Sequence, residues 1–268
     1  MSEPGVPLLH WRQAGAAGAS VAVTTRHGGV SEPPYDSLNL GLHVGDDPGR
    51  VLVNRRRAAR DFGVSLGDLV FAQQVHGNSA TVVGTTEHGR GTRAVGDAIP
   101  DTDILVTATP GTTLVILVAD CLPLALLDPE ARVLAAVHAG WRGTAARAVA
   151  HAMAAMSRLG ATPPATMAFL GPAVHPNSYP VGAEVRRALA RAVAPAALHG
   201  DVARPDGADH WHVDLVAANR QQLNDAGIGP ERVFDCGLTT AHASYFSDRA
   251  ERPCGRFALM ARLLPPPA

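Results

Sequence analysis

Three short segments carry groups that bind metals or activate nucleophiles: Gln73-Gln74-Val75-His76-Gly77, Ala119-Asp120-Cys121-Leu122-Pro123 and His138-Ala139-Gly140-Trp141-Arg142-Gly143. One thiolate and two imidazoles make the donor set of an open catalytic zinc site, with a fourth position left for water or substrate. Such a metal supplies hydroxide at neutral pH by lowering the pKa of bound water to about 7. His76, Cys121 and His138 are far apart along the chain, so residue types alone leave a second reading open: one buried strand cysteine and two unrelated histidines. Cys121 as nucleophile with His138 as its base would also suit a metal-free hydrolase. Glycines beside these residues let a ligand approach the backbone, and strand ends are where a scaffold hands side chains to a pocket.

The rest of the composition narrows the chemistry. The chain has 268 residues, 46% of them hydrophobic and 18% charged, enough for a sizeable core. All 23 basic residues are arginine, which excludes a Schiff-base lysine or a P-loop lysine and leaves phosphate to arginine or backbone amides. A net charge of -1 gives no footprint for nucleic acid or an anionic membrane, so the expected ligand is a small molecule. The zinc-deaminase pattern, the HExxH helix and the GxGxxG turn are all missing. The opening segment, with Glu3, does not read as a secretory signal, and the apolar run Leu114 to Leu127 is interrupted by Asp120 and Pro123 and too short to span a membrane. Three cysteines, Cys121, Cys236 and Cys254, at no disulfide spacing fit a reducing, cytoplasmic setting.

The elements that must position the three words read as interleaved strands and helices, giving an α/β class in one domain over residues 1–268. Ser20 to Thr25, Ser79 to Val83, Ile104 to Thr107, Leu114 to Ala119 and Arg132 to His138 are rich in β-branched or aliphatic residues and read as strands, with a Pro110-Gly111 turn. Arg26 to Pro48 reads as a long loop of the functional or disordered kind, followed by a helix over Gly49 to Phe62. Helices are expected over Thr144 to Leu159, capped by Thr144 and stopped by Gly160, over Val181 to Ala194, ended by Pro195, and over Val213 to Ala226 with Asp214 as N-cap.

The three words, together with TTRHGGVSEPPYDSLNLGLHVGDDPGRVLVNRRR (Thr24 to Arg57) and GPAVHPNSYPVGAE (Gly171 to Glu184), closely resemble the YfiH/laccase-domain family in order and spacing over nearly the whole chain. The resemblance implies a YfiH-like α/β sandwich, sometimes grouped with cysteine-hydrolase toxins, and zinc bound by His76, Cys121 and His138. For activity it implies phosphorolysis of adenosine, inosine, guanosine and methylthioadenosine with deamination of adenosine; members were first described as copper polyphenol oxidases. Residue chemistry favours the purine description, because a multicopper oxidase needs a blue-copper centre and many additional histidines in paired motifs, although His and Cys ligands also accept copper. The stretch Ser244 to Arg256 departs from the pattern, with Asp248 and an extra Cys254 where relatives carry a basic, glycine-rich run.

Phosphorolysis of an N-glycoside calls for an anion site, a stabilised sugar cation and a proton for the leaving purine. Arg142, Arg26 and Arg55 are the phosphate candidates, since guanidinium binds phosphate oxygens with two parallel bonds. Solvation of a helix face is the plain alternative for Arg55. Asp120 reads equally as support for Cys121 or as an acid/base group. Asn39 and His43 are placed as nucleoside contacts from the long loop, against ordinary turn hydrogen bonding. Tyr179 and Glu184 are candidates to reach the pocket, Trp141 reads as a packing anchor, and His10, His88, His151, His199, His210 and His212 as surface residues. A metal- or nucleoside-binding module without catalysis is the non-enzymatic alternative.

Overall fold

The structure is a computed structural model and describes residues 5–266; Glu3, read above in the opening segment, lies outside the described residues. Two sheets stack face to face. One has the spatial order Leu8–His10, Ala19–Thr24, Phe257–Leu263, Thr113–Val118 and Leu69–Phe71. The other runs Val233–Asp235, Met167–Leu170, Leu122–Asp128, Val133–Ala139, Ile104–Thr107 and Ala80–Val82. A smaller three-stranded sheet joins Pro180–Gly182, His210–Val213 and Ala203–Pro205.

Strands covered on both faces read as continuous apolar runs rather than alternating ones. That is the case here: every residue of Thr113–Val118, Leu122–Asp128 and Val133–Ala139 is buried. Val23, Leu114, Ile116 and Leu259 of one sheet meet Leu105, Leu127, Leu134 and Phe169 of the other in the inter-sheet core. The far face of the six-stranded sheet is covered by Ala148–Ser157 through Val149, Ala152 and Met156. The far face of the five-stranded sheet is covered by Pro48–Phe62 through Ala58, Ala59 and Phe62.

Most predicted elements appear within a residue or two, and the differences have local causes. Asp214 caps Leu215–Asp225 by accepting from Ala217 N at 2.9 Å, as expected. The Thr144 to Leu159 helix is instead two helices, Trp141–Ala145 and Ala148–Ser157, divided at Arg147 in a left-handed conformation (φ 58°). Gln222 Nε2 donates to the Thr144 carbonyl at 2.7 Å, an acceptor that a continuing helix would use, and Asn219 Nδ2 donates to the Thr144 hydroxyl at 3.0 Å. Val181 pairs in a strand with Trp211, which confines the Val181 to Ala194 helix to Ala183–Leu189. Leu122–Asp128, not among the predicted strands, lies inside its sheet although it holds Pro123, a residue that argues against a central strand.

The long loop is ordered by one buried amide. Asn54 Nδ2 donates to Ser31 Oγ, Ser37 O and Asn39 O, while its Oδ1 accepts from Val30 N. Asp47 caps the following helix by accepting from Arg50 N.

Candidate metal centre

The site lies at one end of the six-stranded sheet. Cys121 immediately precedes Leu122–Asp128, and His138 is the penultimate residue of the antiparallel Val133–Ala139, paired with Pro123. His76 sits in the loop before Ala80–Val82. The metal-binding atoms of His76, Cys121 and His138 all lie within 4.8 Å of one another, and the two imidazole rings meet edge to face at 4.7 Å between centroids. His138 is buried, Cys121 half-buried and His76 exposed, so the cluster is open on one side.

The glycines of HAGWRG allow this approach. A Cβ on Gly140 would stand 2.7 Å from Cys121 Sγ and 3.4 Å from His76 Cδ2, and one on Gly143 would stand 2.9 Å from the Gly77 carbonyl. Gln74 anchors the His76 loop to the neighbouring sheet, donating from Nε2 to Leu117 O and accepting from Leu117 N at Oε1.

Asp103, which sequence reasoning did not single out, has its side chain fully buried behind the cluster and accepts from His138 Nδ1 at 2.7 Å. The same carboxylate accepts from the backbone N–H of Val75, His76 and Gly77. With Nδ1 held there, Nε2 is the nitrogen His138 presents to Cys121. Burial alone would push the Cys121 thiol up, but the adjoining His138 outweighs it and the thiol titrates at about 6. Burial opposes a charge on His138 as well, yet the Cys121 thiolate and Asp103 raise it to about 9. Without metal the pair is therefore a thiolate and an imidazolium at neutral pH.

Asp120, at φ 83°, turns its carboxylate away from the cluster and accepts from Thr240 Oγ1 at 2.5 Å and from Arg249 N at 2.6 Å. It thereby fixes the 240–249 segment beside Tyr179, over whose ring the Arg249 guanidinium lies at 5.8 Å. Burial raises the Tyr179 phenol, the charges of Cys121 and Asp120 add to the shift, and those of Arg249 and Arg142 oppose it, so Tyr179 lies within electrostatic reach of Cys121. Arg142 is exposed and stacks on Trp141 at 4.3 Å, while Trp141 packs against the Val174, Val181 and Leu189 cluster as an anchor.

Burial lowers the pKa of His43, and the charges of Arg256, Arg55 and His76 reinforce the shift. Arg55 is 3% exposed, not a solvated helix residue. It donates to the carbonyls of Leu40, Gly91 and Thr92 and covers the Phe71 ring at 3.9 Å. Burial brings it down to about 9, so it is charged at neutral pH, and no carboxylate among the described residues pairs with it.

Asn39 is fully buried and serves the loop: it donates to Gly41 O and Asp46 Oδ2 and accepts from Gly41 N and Arg256 N. Arg26 is paired with Glu251 at 2.9 Å and Asp36 at 3.7 Å, at the meeting of two cavities of about 540 and 440 Å³ that share Arg26 and Glu251. Glu184 is exposed in the first turn of its helix. Asp248 pairs with Arg252 and with Arg256, and Cys254 is buried against the Arg256 guanidinium at 3.4 Å.

A family model described as multi-copper polyphenol oxidoreductase laccase matches residues 20–263. The chain belongs to this laccase-like YfiH family. Among curated members, a purine nucleoside phosphorylase of Mycobacterium tuberculosis strain H37Rv is 43% identical over 235 residues, 88% of each chain. The crystal structure of YlmD from Geobacillus stearothermophilus superposes with a TM-score of 0.88 at 34% identity over 93% of each chain, and that of the Bacillus licheniformis hypothetical protein YfiH with 0.89 at 32% over 97% of each. These neighbours carry the expected mixed α/β fold. A laccase-like family name raises the matter of copper ligands, and one His-x-His pair is present, His210-Trp211-His212. It lies in the three-stranded sheet, where His212 is held by Asp206 at 3.0 Å and Pro176 O at 3.0 Å, and it is not part of the His76, Cys121, His138 cluster.

The donor set of two imidazoles and one thiolate, open on one face, fits a zinc ion with a vacant position. Metal-stripped protein gives a pH prediction. Cys121 should be alkylated by iodoacetamide with a rate that falls away only below about pH 6, whereas burial pushes Cys236 and Cys254 up to about 11 and keeps them unreactive at neutral pH. Peptide mapping after alkylation at pH 7 checks it; equal labelling of all three would contradict the pairing of Cys121 with His138.

Proposed function

We propose that this chain is a zinc-dependent purine nucleoside phosphorylase that also deaminates adenosine, in one domain with one site and a reducing, cytoplasmic setting. The observation that carries the reading is the open His76, Cys121 and His138 cluster; Tyr179 feels the Cys121 charge, and the buried, carboxylate-free Arg55 acts together with His76 on His43. The name carried by the Mycobacterium relative points the same way.

Phosphate belongs on the Arg55 and His43 side, where a guanidinium already desolvated gains most from an anion. Purine belongs on the Tyr179 side, with Arg142 and Trp141 at its edge. Phosphate oxygen then bonds to C1′ of the ribose as the bond from C1′ to the purine nitrogen breaks, and its electron pair leaves with the base. Tyr179, kept protonated by burial, is the proton donor assigned to the departing purine. Asp120 supports this wall through Thr240 and Arg249. His76, Cys121 and His138 would hold the zinc, which when bound supplies Lewis acidity to the same cleft. Copper is the alternative occupant of the same ligands.

Adenosine incubated with phosphate should give adenine and ribose 1-phosphate, neither of which forms without phosphate, while inosine forms with or without it. Chromatography of the two incubations separates the reactions. A second reading has its own observation: Cys121, His138 and Asp103 line up as nucleophile, base and orienting carboxylate, the arrangement of a metal-free cysteine hydrolase. Full turnover by protein stripped of metal would favour it.

A further inference from the structure

The Asp103 carboxylate is tied to both halves of the cluster at once. Its Oδ1 accepts from His138 Nδ1 at 2.7 Å and from His76 N at 3.0 Å; its Oδ2 accepts from Gly77 N at 2.6 Å and Val75 N at 3.2 Å. His76 itself has φ 62°, a left-handed conformation that strains a residue with a Cβ. A left-handed residue within a run of amides turns successive N–H groups into a concavity suited to an anion, and here that anion is a side chain of the same protein. His138 N also donates to the Asp103 carbonyl at 2.9 Å, so backbone and side chain of one residue set the position of the buried ligand.

We propose that Asp103 is a positioning residue that pre-forms the metal site, holding the exposed His76 loop in its strained conformation and fixing the nitrogen that His138 offers. The inference rests on the metal reading above. Its physical content is that zinc meets an assembled site: it does not have to order the 75–77 loop, and it displaces only the Nε2 proton of His138, because Nδ1 is already committed to Asp103. Asparagine at this position has one acceptor oxygen. Accepting from Val75 and Gly77, it would turn its NH2 toward His138 Nδ1, which then becomes the acceptor and leaves the ring proton on Nε2, the nitrogen meant for metal. Loss of such an outer carboxylate typically weakens metal binding about 10–100-fold.

Chelator-competition titration of zinc into wild type and Asp103→Asn tests this, alongside the ¹⁵N-edited spectrum of the His138 ring in metal-free protein. The expected results are zinc affinity lowered about 10–100-fold in the variant, an unchanged far-ultraviolet circular dichroism spectrum, and a strongly downfield Nδ1 proton on His138 in the wild type. Zinc affinity within twofold of wild type in the folded variant overturns the proposal. So does a wild-type His138 with no proton at Nδ1, a measurement that stands even if the variant does not fold. Failure of the metal reading itself would show differently, as wild-type protein that takes up no zinc while the Nδ1 proton is present.

Discussion

Alanine in place of Gly140 is expected to lower kcat/KM for phosphorolysis by about 100-fold while leaving the fold in place. The added Cβ would stand 2.7 Å from Cys121 Sγ, nearer than van der Waals contact allows, and 3.4 Å from His76 Cδ2. Gly140 has φ −74° and ψ 176°, a conformation alanine adopts freely, so the backbone has no reason to move. Cys121 is fixed by its place at the start of a buried central strand, and the thiolate must swing away from the two imidazoles. A displacement near 1 Å at a reacting centre is enough for a loss of this size. Steady-state kinetics with inosine and phosphate, together with zinc content and a thermal melt, check it. Wild-type kinetics in Gly140→Ala would mean that Cys121 does not sit where the reaction occurs.

Arg55→Met should both destabilise the protein and weaken phosphate binding. The three carbonyls of Leu40, Gly91 and Thr92 lose their buried donor, at roughly 1 kcal/mol or more each. A total of about 3 kcal/mol lowers Tm by roughly 10 °C in a chain of this size. Removing the cation from the His43 side should raise KM for phosphate about 30-fold, the equivalent of one charge-assisted contact of about 2 kcal/mol. Arg55→Lys separates the two effects: it keeps the charge and recovers part of the phosphate affinity, but a single ammonium cannot serve three carbonyls in the geometry of a planar fork. Differential scanning calorimetry and KM values for phosphate and inosine, measured separately, test both. An equal rise in KM for inosine alone would move phosphate away from Arg55.

The ligands of the site were legible because each stands in a word with its own signature, a glycine-flanked histidine or a cysteine at the head of an apolar run. Their convergence was not, since it depends on Leu122–Asp128 lying between Val133–Ala139 and Met167–Leu170, and Pro123 hides that central strand. Asp103 was missed for a related reason: it precedes a predicted strand, Ile104 to Thr107, and only the pairing of Ile104 with Val137 brings it under His138. Its position immediately before a predicted strand was the available signal. Arg55 in the Arg55-Arg56-Arg57 run looks like a solvated helix face, and its burial is set by Phe71 and the 91–92 turn, both remote in sequence. The division of the Ala-rich segment at Arg147 likewise comes from Asn219 and Gln222, which local composition cannot anticipate.

Whether His76, Cys121 and His138 hold the metal on which purine release depends is decided by elemental analysis of untagged wild-type and Cys121→Ala protein combined with chromatography of inosine incubations with and without phosphate. Near-stoichiometric zinc and phosphate-dependent release of free base are expected in the wild type, with both lost in the variant. Free base released at the wild-type rate by metal-free Cys121→Ala protein would contradict that role.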